Sequence, residues 1–158
     1  MLYEEDRKHL QHCLQLAKEA VEAGDQPFGS VLVDKNGKVL ASERNRINEL
    51  NQLAHPEYVL ADWALNNLSR EERKSATMYT SGEHCPMCAA AHGWAEIGRI
   101  VYIASAKQLS EWLTEFGVKE SSIYFIPVQQ VIKEVEVVGP VEEYVEEIRA
   151  LHLEYHKK

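Results

Sequence analysis

The 158-residue sequence has no run of 18 apolar residues, so no segment is expected to span a bilayer. Its first residues, MLYEEDRKHL, lack a basic stretch followed by an apolar one, so no secretory signal is expected. It has no Lys/Arg-rich run, and its formal net charge is −8. Affinity for polynucleotides comes largely from cations neutralising phosphates, so this balance favours a small substrate over nucleic acid. Cysteine is scarce: Cys13, Cys85 and Cys88. An odd count with one tight C-x-x-C pair is not a disulfide framework and fits a metal or redox site in a reducing compartment. The cytoplasm is the expected location. No repeat, low-complexity tract or composition break divides the chain, so residues 1–158 read as one domain.

Apolar residues make up 45% of the chain, enough for a full core at this length. Leu10, Leu14, Ala17 and Val21 share one face of a helix expected over about residues 4–23. Val31–Val33 and Val39–Ala41 flank the turn signal Asp34-Lys35-Asn36-Gly37, which predicts a hairpin. A polar loop follows to about residue 54. Helices are expected over about 56–68 and 86–97, and strands over 76–81, 99–104 and 135–138. Residues 106–133 predict a short helix and a long loop. Val141, Tyr144, Val145, Ile148 and Leu151 mark a terminal amphipathic helix. The order predicts a three-layer α/β/α fold with a mixed five-stranded sheet.

Two motifs carry chemistry. His55-Pro56-Glu57 opens one predicted helix, and Cys85-Pro86-Met87-Cys88 opens the next β-to-α junction. If the two helices lie side by side, their N-termini converge, and one imidazole and two thiolates become three zinc ligands. Three protein ligands leave the fourth tetrahedral position open, as catalytic zinc sites do. Helix N-termini also favour thiolate over thiol. Glu57, two residues beyond His55, can handle protons there without being a ligand. His92, four residues beyond Cys88, offers a different reading: a fourth ligand that would close the site. Cys13, on the apolar face of the first helix, reads as a buried thiol.

The paired H-x-E and C-x-x-C motifs resemble those of the zinc-dependent cytidine and nucleobase deaminases. The resemblance extends to Pro27-Phe28-Gly29, Asn45 and Tyr79-Thr80-Ser81. Trp94-Ala95 and Ser122-Ile123-Tyr124 make it most similar to the bacterial guanine deaminase branch. It implies a cytidine-deaminase-like fold, bound Zn2+, commonly a homodimer, and hydrolysis of an exocyclic amine on a small heterocyclic substrate. It further implies that Asn45 orients the base while Phe28 and Trp94 pack against its faces, and it aligns Glu120 with an acidic residue that assists proton transfer. Two positions depart from the pattern. His84 stands before Cys85 where relatives usually have proline, and is expected at the pocket rim. Pro56 lacks a backbone N–H that relatives can offer to a substrate carbonyl. Guanine is the first expected substrate. Cytosine-type pyrimidines, aminopterins, aminotriazines, a tRNA adenosine, or an inactive zinc-binding role remain alternatives.

Overall fold

The computed structural model describes residues 1–157. Helix α1 (Glu4–Glu22) leads into strands β1 (Gly29–Val33) and β2 (Val39–Arg44). Then come α2 (Pro56–Asn67), the short α3 (Arg70–Lys74), β3 (Thr77–Gly82), α4 (Pro86–Ala95) and β4 (Arg99–Ala104). Helix α5 (Ala106–Glu115) precedes an irregular stretch and a 3-10 turn at Val128–Gln130, and β5 (Glu136–Val138) and α6 (Val145–His156) end the chain.

The strands form one five-stranded sheet in the order β2-β1-β3-β4-β5. β1 is antiparallel to both β2 and β3, while β3, β4 and β5 run parallel, so the sheet is mixed as expected. Parallel neighbours need crossovers, and α4 and then α5 with the stretch after it supply them. Gly37 takes φ +83° in the β1–β2 turn, where Asp34 Oδ1 accepts from the backbone N–H groups of Asn36 and Lys38.

Strand alternation sorts the core into two layers. Val31, Val33, Tyr79, Val101 and Ile103 pack with Leu10, Leu14, Ala17, Trp112, Val145 and Ile148, the layer of α1, α5 and α6. Leu32 and Met78 face the other way, onto Leu60, Ala61 and Ala64 of α2 and Ala95 and Ile97 at the end of α4. The α1 layer sits tightly on β1. A Cβ at Gly29 would fall 2.5 Å from the Cys13 carbonyl oxygen and from Leu16 Cβ, so that position of the Pro27-Phe28-Gly29 motif admits only glycine.

One helix and two boundaries depart from expectation. Helix α3 lay unread within the segment between α2 and β3, although Ser69 and Glu72 form a capping box at its start. Helix α4 stops at Ala95 because Glu96 turns left-handed, at φ 55°. The regular terminal helix begins at Val145, after a 3-10 turn over Glu142–Tyr144. Among the described residues, no helix is long and apolar enough to cross a membrane.

Candidate zinc and catalytic site

Helices α2 and α4 lie side by side on one sheet face. Each opens on a residue of extended backbone followed by proline: His55 (φ −89°, ψ 137°) before Pro56, and Cys85 (φ −69°, ψ 167°) before Pro86. Proline suits a first helical position, where its missing N–H would have no intrahelical partner. His55 and Cys85 thus sit at two neighbouring helix N-termini, and Cys88 lies one turn into α4.

His55 Nδ1 lies 3.6 Å from Cys85 Sγ and 3.5 Å from Cys88 Sγ. All three donor atoms fall within 4.8 Å of one another, and among the described residues no other group of His, Cys, Asp or Glu does this. Zinc bonds of usual length at a tetrahedral angle place sulfur and nitrogen about 3.6 Å apart, so the donor set fits a tetrahedral zinc ion. The Cys85 thiol is lowered to about 4, first by the hydrogen bond from Cys88 and also by the one from His55. His55 is raised, first by that bond to Cys85. Cys88 is pushed up by the shared bond with Cys85 and by burial, and a bound dication would displace that proton.

Glu57 is buried, at 4% exposure, beside this triad. Burial raises its pKa above the usual carboxylate range, and the positive potential of His55 opposes that shift. Its Oε1 accepts from Ser30 Oγ at 3.0 Å and lies 3.2 Å from Thr80 Oγ1. Ser30 and Thr80 are paired across β1 and β3. Thr80 belongs to the Tyr79-Thr80-Ser81 motif but carried no expected role, and no motif marked Ser30. The available signal was a serine in a strand otherwise made of glycine and aliphatic residues, Gly29-Ser30-Val31-Leu32-Val33.

The family model described as the cytidine and deoxycytidylate deaminase zinc-binding region matches residues 3–104. The chain belongs to this family. It is a zinc-dependent deaminase with a His55/Cys85/Cys88 metal site. A probable cytosine deaminase of Schizosaccharomyces pombe is 29% identical over 88% of this chain and 86% of its own length. A tRNA-specific adenosine deaminase of Bacillus subtilis is 34% identical over 62% of this chain and 61% of its own. The guanine deaminase of the same bacterium is 34% identical over 73% and 72%. The solved guanine deaminase of Nitrosomonas europaea superposes with a TM-score of 0.71 over 100% of this chain and 87% of its own, at 17% identity, which shows the shared fold.

The other expected site residues divide. Asn45 is buried. Its backbone N–H bonds the Phe28 carbonyl at 2.9 Å, and its Oδ1 accepts from the Ile47 N–H at 3.1 Å. Phe28 is half-buried and lies against Gly82, three residues before Cys85. Its ring meets His152 of α6 edge-on, centroids 5.1 Å apart. Trp94 is not brought to this group; it stands 83% exposed on the outside of α4. Glu120 is exposed in the loop after α5. His84 is wholly buried rather than at a rim, with its ring against His92. His92 uses both ring nitrogens, on His84 and on the Ile97 carbonyl, so it does not close the zinc site. Cys13 is a buried thiol outside the triad, its pKa raised by burial.

Proposed function

We propose that this deaminase hydrolyses the exocyclic amine of a free nucleobase or similar small heterocycle, with guanine the first substrate. The observation that carries the reading is Glu57, buried and held by hydroxyls beside the zinc ligands without being one of them. Bound zinc supplies the Lewis acidity that makes water nucleophilic near neutral pH. Glu57 takes a proton from the attacking water, passes it to a ring nitrogen, and then protonates the departing amine. The balance is ring amine plus water to ring carbonyl plus ammonia.

Asn45 and Phe28, joined through their backbones, supply an amide and an aromatic face for a flat ring. The net charge of −8 and the absence of a Lys/Arg-rich run support a free base over tRNA. A cytosine-type pyrimidine is the second reading, favoured by the S. pombe relative, whose similarity extends over 143 residues. Ammonia release from guanine, cytosine, adenine, an aminopterin and an aminotriazine, measured side by side, decides between them. Guanine should turn over fastest. Inert guanine beside an active cytosine sinks the purine reading, and inosine formed in a tRNA anticodon sinks the small-substrate reading.

The proposed enzyme is a homodimer in a reducing cytoplasm. Tyr58 and Leu65 of α2, seven residues apart on one helical face, are exposed, as is Trp94 of the adjacent α4. A second copy is the partner that this apolar strip suits. A monomer by sedimentation at micromolar concentration would contradict it.

A further inference from the structure

His84 directly precedes the zinc ligand Cys85, yet its side chain has no part in the chemistry above. It is fully buried, and its Nε2 lies 3.2 Å from His92 Nδ1 with the rings edge-to-face at 76°. His92 is also fully buried, and its Nε2 lies 3.0 Å from the Ile97 carbonyl oxygen. A carbonyl only accepts, so His92 Nε2 carries hydrogen. Burial keeps His92 neutral, its pKa lowered to about 4. Its Nδ1 is therefore a lone pair, and His84 Nε2 carries the hydrogen that meets it. His84 Nδ1 has no partner. The direction of the chain follows: His84 donates to His92, and His92 donates to the Ile97 carbonyl.

These two bonds join the ends of α4. His84 comes before the Cys85 N-cap, and Ile97 comes after the left-handed Glu96 C-cap. The Glu83 N–H is held by the Ala104 carbonyl at 2.8 Å, whereas the His84 N–H makes no backbone hydrogen bond among the described residues. Residue 84 is thus fixed through its side chain at the point where the chain turns from β3 into the cysteine pair. We propose that His84 and His92 are positioning residues for Cys85, forming a hydrogen-bonded tether that holds the zinc-ligand loop in its binding geometry. The inference rests on the zinc site and is independent of the choice of substrate.

The test uses zinc-loaded and cobalt-substituted full-length protein. It compares His92→Leu, His92→Gln and the double variant His84→Pro/His92→Leu. Zinc affinity is read by chelator competition, and ligand geometry by the cobalt d–d absorption. His92→Leu removes the acceptor for His84, and zinc affinity should fall by about tenfold or more with an altered cobalt spectrum. His92→Gln keeps an acceptor and a donor and should restore both. The double variant should also restore both, because proline stiffens residue 84 through its own ring and favours the extended conformation at Glu83. If His92→Leu does not fold, the other two decide, since both should retain zinc and the native cobalt spectrum. A His92→Leu protein with a lower Tm but unchanged zinc affinity and cobalt spectrum would show a core-filling pair and overturn the inference. So would zinc loss in His92→Gln or in the double variant.

Discussion

Ser30 donates its hydroxyl to Glu57 Oε1 at 3.0 Å, from a strand position 27 residues earlier in the chain. The bond stabilises the carboxylate and so opposes the rise that burial imposes. Ser30→Ala should therefore raise the Glu57 pKa further. The acid limb of the kcat/KM profile should move to higher pH, with zinc content unchanged. An unmoved limb would mean that Ser30 does not tune Glu57.

Pro56 occupies the first position of α2, between His55 and Glu57, and has no N–H to offer. Pro56→Ala should tighten binding of carbonyl-bearing rings by about tenfold, within the worth of a hydrogen bond to a buried acceptor. Thermal stability should drop slightly, because alanine leaves the unfolded chain freer. Dissociation constants for guanine and a carbonyl-free analogue separate the two effects. Equal changes for both ligands would remove the missing donor from the account.

His152 is buried between Phe28 and Trp112, and burial lowers its pKa to about 3. In the unfolded chain it titrates near 6.5. Above that value both states are neutral and the group adds no pH dependence. As pH falls from about 6.5 toward 3, only the unfolded state gains the proton, so stability falls by up to about 1.4 kcal/mol per pH unit. His152→Phe should lose less stability than the native protein between pH 7.5 and 5, read by urea denaturation. Parallel losses would show that His152 is protonated as readily folded as unfolded.

The zinc ligands were legible because each motif sits within four residues and opens a helix, so local spacing fixes their relation. The Glu57 environment was not, because Ser30 and Thr80 reach the site through strand register rather than spacing. Trp94 teaches a different lesson. The family resemblance implied that Trp94 packs against the base, yet six residues turn an α-helix by roughly 600°, which leaves Trp94 about 120° away from Cys88 around the axis. His92, four residues on, returns to within about 40° of Cys88 and faces inward. Helical phase, rather than proximity in the motif, separates the two. Helix α5, the short helix expected within residues 106–133, begins at a capping box of Ser105 and Gln108. The loop beyond it carries Glu120 and holds no periodic pattern, so the sequence assigned it no shape.

Zinc content and turnover, measured on the same Glu57→Gln sample, test the central claim most directly. The variant keeps the size of the side chain and leaves His55, Cys85 and Cys88 in place, so about one zinc per chain should remain. Without a carboxylate to move the proton, ammonia release from the best substrate should fall by about a hundredfold or more. A zinc-replete Glu57→Gln protein that turns over at the native rate would contradict the account.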